Sequence, residues 1–157
     1  EIMRLTLDVL DELEALRRGA AITHAGQDPA ERLRFYTPKR EFLDKTSDAT
    51  LYQTERWFPV AEAGNARYRL PLPPGSYRVT LHFAEIWHRE EGKRVFDVLI
   101  EGKEVLKTYD PCAASGFATA DVKPCEPIDV KDGFLDIEFV HRVEHPKVSA
   151  IEIERVR

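Results

Sequence analysis

The stretch GSYRVTLHFAEIWHREEGKRVFDVLIEGKEVL, residues 75–106, decides the fold. Its first part alternates apolar residues, among them Tyr77, Leu81 and Phe83, with polar ones. This alternation predicts a strand with one face in the core and the other toward solvent. A charged turn at residues 89–93 precedes the next strand, and the Glu101-Gly102 pair predicts the tight connection of a hairpin.

Segments of the same kind continue from residue 51 to the end of the chain. They are rich in β-branched and aromatic residues and are separated by Gly, Pro, Asp and Asn. The predicted strand segments are LYQTERW, ARYRLPL, GSYRVTLHFAE, KRVFDVLIEGKEVLKTYD, GFATADV, PIDV, GFLDIEFV and PKVSAIEIERV. About eight strands in roughly 105 residues predict an all-β sandwich.

The first 19 residues have two interpretations. Apolar residues recur there at helical spacing and Gly19 suits a helix end, which favours a helix over residues 8–18. Residues 3–9 also alternate between apolar and polar, so a strand followed by a short helix remains open. We predict an N-terminal amphipathic segment, residues 1–19, appended to a β-sandwich of residues 20–157.

Composition excludes several classes of protein. The 157 residues suffice for one main domain, and no apolar run approaches the roughly 18 residues of a membrane span. The net charge of -5 comes from interspersed residues without a basic stripe, so we expect no nucleic-acid partner. The chain has no basic-then-apolar leader, so we expect a signal peptide to be absent or already removed.

No motif predicts a cofactor, a metal site or catalysis. Cys112 and Cys125 lack C-x-x-C spacing, and both a single bridge and two free thiols remain open. The histidines are scattered, and nucleotide-binding and hydrolase signatures are absent. The acids that could be paired for glycosidase chemistry are better explained as partners of basic residues. These acids are Glu55, Glu85, Asp97 and Glu144.

Aromatic and acidic residues collect where predicted strands meet loops. Trp57 ends LYQTERW, Trp87 and His88 end LHFAEIWH, and Glu144 lies in the turn before PKVSAIEI. Loops cluster at the ends of a sandwich, so these side chains can converge on one rim. An aromatic plane covers the apolar face of a sugar, while carboxylates and imidazoles bind its hydroxyls. The pattern therefore favours carbohydrate binding.

The ordered segments LYQTER, HFAEI, RVFDV and PKVSAI resemble the malectin domain, which is grouped among carbohydrate-binding modules. The resemblance implies a jelly-roll-like sandwich and a non-catalytic, lectin-like role. In animals the family's namesake occupies the lumen of the endoplasmic reticulum and recognises glucose-capped N-glycans. Related domains occur in plant receptor kinases and beside bacterial glycoside hydrolases, so the resemblance implies a secretory or extracytoplasmic setting.

The resemblance also implies site residues. Trp57 stands where the animal protein has Tyr, Trp87-His88 where it has Tyr-Phe, and Glu144 where it has Asp. Tyr36 or Phe35 lies at about the distance of a further family Tyr. We expect the two Trp rings to stack on sugars, Glu144 to accept hydrogen bonds from hydroxyls, and His88 and Tyr36 to line the remainder.

Two other functions remain open. The apolar stripe of residues 1–19 needs a partner surface, which would make the chain an interaction module bound to a neighbouring domain or a second copy. The chain could also be the accessory domain of a larger glycoside-active enzyme.

Overall fold

The fold is taken from a computed structural model, which describes residues 2–5, 49–52, 55–59 and 66–156. Nearly all its regular structure is strand. The strands are β1 (Ile2–Leu5), β2 (Arg56–Trp57), β3 (Arg67–Pro71), β4 (Gly75–Ala84), β5 (Val95–Ile100), β6 (Lys103–Tyr109), β7 (Ala120–Pro124), β8 (Ile128–Val130), β9 (Phe134–Val143), β10 (Lys147–Val148) and β11 (Ala150–Arg155). Within these ranges there are also a 3-10 helix (Ala49–Tyr52) and a short helix α1 (Pro111–Ser115).

The strands form two larger sheets whose neighbouring strands are antiparallel. One sheet has the order β1-β11-β4-β7, with β8 also paired to β4, and the other has the order β3-β9-β5-β6. Strands β2 and β10 form a separate small ladder. Side chains of both larger sheets share one hydrophobic core, so the predicted all-β sandwich is confirmed.

The alternation in β4 sets the core face as predicted. Leu81 and Phe83 are fully buried, and the Phe83 ring lies 5.9 Å from the ring of Phe96 in the opposite sheet. His82 differs from the expectation for the outer face, because it is buried rather than exposed. The reason is Tyr52 of the 3-10 helix, whose hydroxyl lies 2.8 Å from His82 Nδ1.

The predicted hairpin turn is confirmed. Glu101 and Gly102 connect β5 to β6, and both have positive φ, 51° and 72°. Two left-handed residues are the geometry of a type I′ turn, whose twist matches that of the flanking strands.

Two local predictions were wrong or missing. LYQTERW is not one strand, because its start belongs to the 3-10 helix and, among the residues of this segment that the structure describes, only Arg56 and Trp57 pair with another strand, β10. Helix α1 is not predicted by the strand pattern. It begins because the Asp110 carboxylate accepts hydrogen bonds from the N–H groups of Cys112 and Ala113.

Of the two interpretations of the first residues, the structure shows the strand, at Ile2–Leu5. Ile2–Leu5 pair with β11 and so extend the first sheet. The helix expected over residues 8–18 lies outside the described residues. The division of the chain at residues 19 and 20 stays a prediction.

Cys112 and Cys125 are free thiols, the unbridged one of the two open interpretations. Burial raises the pKa of both thiols, and nearby acids raise that of Cys112 further. Both residues therefore remain protonated at neutral pH.

Candidate functional site

The Glu85 carboxylate fixes the turn that carries Trp87 and His88. Strand β4 ends at Ala84, so the N–H groups of this turn need partners other than the sheet ladder. Oε1 of Glu85 accepts both, at 2.9 Å from the N of Trp87 and 3.0 Å from the N of His88. From this fixed backbone the Trp87 side chain, 65% exposed, projects into solvent.

Two buried cations neutralise Glu85. Arg94 Nε donates to Glu85 Oε2 at 2.7 Å, and Lys147 Nζ lies 3.8 Å from Oε1. Lys147 also pairs with Glu55. Burial raises the pKa of Glu85, but the two cations and two backbone N–H groups outweigh it, so this pKa lies below its ordinary value. We refer to Glu55, Glu85, Arg94 and Lys147 as the charge cluster.

The charge cluster also holds the segments that carry Trp57 and Glu144. Arg94 Nη1 donates to the backbone carbonyl of His145, which directly follows Glu144. Lys147 lies opposite Trp57 in the β2–β10 ladder. The cluster therefore joins the 87–88 turn, the 144–145 turn and β2 at the end of the sandwich where β4 and β9 end and β5 begins.

Aromatic and acidic side chains meet at this end. The Trp57 and His145 rings pack with centroids 4.9 Å apart and an interplanar angle of 32°. Glu144 is exposed, with a left-handed backbone at φ 58°, and its Oε1 lies 3.4 Å from His145 Nε2. Trp57, His145 and Glu144 thus form one continuous contact.

The structure relates four of the five predicted site positions to one another. His88 is half-buried, and its Nε2 is out of solvent without a hydrogen-bond partner in the described part of the chain. Its turn is joined to the Trp57 and Glu144 segments through Glu85 and Arg94. Tyr36 lies outside the described residues.

The charge cluster is hard to find from sequence. The sequence predicts that most of the four acids pair with basic residues without assigning a partner to each, and in the structure Glu85 pairs with Arg94. Lys147 is fully buried, which is rare for Lys, and its only signal is a place next to the apolar residues of PKVSAI. His145 directly precedes Pro146 in the chain, and nothing in the sequence predicts its ring contact with Trp57.

Three of the four acids weighed for catalysis are paired with cations. Besides the two in the charge cluster, Asp97 pairs with Arg142, Oδ2 to Nη2 at 2.5 Å. The Arg142 hydrogen bond is the main reason that the pKa of Asp97 lies below its ordinary value. The lowered pKa values of Glu85 and Asp97 keep these two carboxylates ionised at neutral pH, which suits structural roles rather than proton donation.

The described residues contain neither a cluster of metal ligands nor a membrane-spanning helix. Across residues 2–5, 49–52, 55–59 and 66–156, no group of three or more His, Cys, Asp or Glu is arranged to hold a metal ion. The same ranges contain no helix with the length and apolar character needed to cross a membrane.

Comparisons with known proteins agree on one family. The Malectin domain family profile matches residues 22–151. Malectin-B of Xenopus laevis is 31% identical over 150 residues, which cover 83% of this chain and 52% of that protein. A probable LRR receptor-like serine/threonine-protein kinase of Arabidopsis thaliana is 31% identical over 142 residues, covering 76% of this chain and 15% of the kinase. The chain thus spans about half the length of the animal malectin it matches.

A solved enzyme structure contains a similar domain. The crystal structure of Bacteroides uniformis β-glucuronidase matches with a TM-score of 0.62 and 26% identity. The match covers 73% of this chain and 13% of the enzyme. The similarity therefore concerns one part of a much longer polypeptide.

Proposed function

This chain belongs to the malectin domain family, and on that premise we propose that it is a non-catalytic, lectin-like domain that binds an oligosaccharide on one rim of its sandwich. The proposed contact residues are Trp57, Trp87, His88, Glu144 and Tyr36. No metal ion or cofactor is part of the proposal.

The observation that carries the proposal is the charge cluster beneath the rim. Burying two acids and two bases costs desolvation, so such a cluster is weak evidence for stability alone. It does fix three separate segments relative to one another, and each carries a proposed contact residue. Rigid support of this kind lowers the entropy that a binding surface loses when a ligand docks.

The exposed side chains suit a sugar. The Trp87 indole is 65% exposed and can contact the C–H groups of a pyranose, and Trp57 offers a second ring beside His145. The Glu144 carboxylate accepts hydrogen bonds from sugar hydroxyls. Affinity is modest because each bound hydroxyl first loses its water.

We further propose a glucose-containing ligand and a secretory or extracytoplasmic location, both following the family. A glycan array followed by calorimetric titration tests the binding. Gluco-oligosaccharides bind at millimolar concentration or better, and Trp87→Ala loses that binding. Val122→Ala is the matched control, because Val122 is the next most exposed large apolar residue in the described part of the chain, at 47%, and lies on β7. Binding that survives Trp87→Ala would contradict the site.

An interaction module is the second candidate, supported by β1. Among the described residues β1 is the outermost strand of its sheet, and an outer strand can pair with another chain. Deleting residues 1–19 would then convert an oligomer to a monomer in analytical ultracentrifugation. An unchanged mass would count against assembly through this segment.

The similarity to part of a β-glucuronidase supports a third candidate, an accessory domain of a larger glycoside-active enzyme. On this proposal the chain alone hydrolyses no aryl glucoside or glucuronide. Turnover by the purified chain would overturn the non-catalytic assignment.

A further inference from the structure

Arg89 lies beside the proposed sugar site and packs on Phe117. Its Cζ is 4.0 Å from the centroid of the Phe117 ring, and the residue is exposed, two positions after Trp87. Within the described residues no carboxylate lies within ion-pair distance of Arg89, whereas Lys93 of the same turn pairs with Glu90. The guanidinium therefore offers an exposed cationic group in the turn that directly follows the exposed Trp87.

The segments on both sides of this pair are fastened to each other. Phe117 forms a β-bridge with Glu85, and the N–H of Ala118 donates to the Glu85 carbonyl at 2.7 Å. Asp110 caps α1 with one oxygen and accepts the N–H of Gly92 at 2.5 Å with the other. The turn that carries Arg89 and the loop that carries Phe117 are thus held together independently of the cation–π contact.

A guanidinium stacked on a ring keeps the donors in its plane available. The ring occupies one face, while the N–H groups along the edges can form two parallel bonds to a carboxylate. Stacking also holds the long side chain, so less rotamer entropy is lost when an anion binds. A uronic acid is a pyranose that carries a carboxylate, so its ring suits Trp87 and its charge suits Arg89.

We propose that Arg89, supported by Phe117, forms an acidic-sugar subsite beside Trp87 that favours glycans containing a uronic acid unit. The inference rests on the proposed function, because it requires a pyranose on Trp87. The protein's net charge of -5 repels anions in general, so tighter binding of an acidic glycan must come from a local group.

The test compares two probes that differ in one group. These are a glucose disaccharide and the same disaccharide with its non-reducing unit oxidised at C6 to glucuronate. We expect the intact chain to bind the glucuronate form about tenfold more tightly at low salt, with the preference shrinking in about 0.5 M NaCl. Arg89→Gln brings the two Kd values together.

Lys103→Gln is the matched control. It removes one exposed positive charge from the start of β6, beyond the end of β5 that lies away from Arg89. We expect this variant to keep the preference for the glucuronate probe. Equal Kd values for the two probes, or a preference that survives Arg89→Gln, would overturn the subsite alone. Failure of both probes to bind the folded chain would overturn the proposed function with it.

Discussion

Arg94 Nε lies 2.7 Å from Glu85 Oε2, and the two side chains are only 6% and 0% exposed. Because the same guanidinium donates to the carbonyl of His145, this ion pair connects the Trp87 turn to the Glu144 turn. The geometry of the proposed rim thus depends on charges inside the domain as well as on the contact between the Trp57 and His145 rings.

Removing Arg94 should destabilise the fold. Arg94→Met leaves the buried Glu85 carboxylate with Lys147 as its remaining cation, and we expect the free energy of unfolding to fall by about 3 kcal/mol. Urea denaturation measures the loss. The neighbouring Lys93→Met breaks only an exposed pair and should cost at most about 0.5 kcal/mol. Equal losses of unfolding free energy in the two variants would show that the buried Glu85–Arg94 pair stabilises the fold no more than an exposed pair does.

Acid should weaken the domain through Glu85. The folded-state pKa of Glu85 is lowered relative to the ordinary 4.5, so its contribution is present above that pH and is lost as the pH falls through the folded-state pKa. The pKa of Asp97 is lowered too, so it adds a loss of the same sign. In urea denaturation at a series of pH values, Glu85→Gln should flatten the acid slope while Asp97 still contributes. A slope unchanged by Glu85→Gln would refute this role.

Substitution of Trp87 should affect glycan binding but not the stability of the fold. The side chain is 65% exposed, so Trp87→Ala should change the free energy of unfolding by less than about 0.5 kcal/mol while abolishing glycan binding. Phe83→Ala, at a fully buried core position, should cost about 3–5 kcal/mol. Urea denaturation and calorimetric titration of the same preparations provide both readings. A large stability loss in Trp87→Ala would mean that the indole is structural.

Glu144 should contribute to glycan binding through its carboxylate charge rather than through its backbone conformation. Asn tolerates the left-handed conformation at φ 58°, so Glu144→Asn removes the carboxylate without adding strain. We expect unchanged stability and about tenfold weaker glycan binding. Glu101→Asn, at φ 51° in the hairpin at the far end of β5, is the matched control and should bind normally. Normal binding by Glu144→Asn would remove Glu144 from the site.

The two thiols should stay reduced and unreactive. Since burial raises the pKa of both Cys112 and Cys125, we expect slow alkylation in the native state and two adducts after unfolding without reductant. Mass spectrometry counts the adducts. No adduct in the unreduced, unfolded chain would indicate a disulfide instead.

Period-two alternation is enough to predict the sandwich and the core face of β4. It works because one face of each strand is buried, as for Phe83 and Phe139. It could not predict that Tyr52 covers His82, since this contact joins residues 30 positions apart on the outer face. Helix α1 could not be predicted from the sequence, because five residues are too few to show a helical period.

The site could be predicted only in part, because some of its contacts join residues that lie far apart in the sequence. Strand ends identify Trp57, Trp87 and Glu144 as rim candidates, because alternation stops there. The sequence does not show which charged residues pair, because the partners can be far apart in the chain. Arg94, for example, donates to the carbonyl of His145, 51 positions away. The charge cluster therefore required the three-dimensional structure.

The proposed function requires one glycan to cover both Trp57 and Trp87 on the rim. The chain has two tryptophans, Trp57 and Trp87, so the indole region of a ¹H–¹⁵N spectrum contains one resonance from each. Titration with a gluco-oligosaccharide should shift both indole N–H resonances with the same Kd, with Trp57→Phe and Trp87→Phe assigning them. Resonances that stay in place, or that move with different Kd values, would contradict a single sugar site at this end of the sandwich.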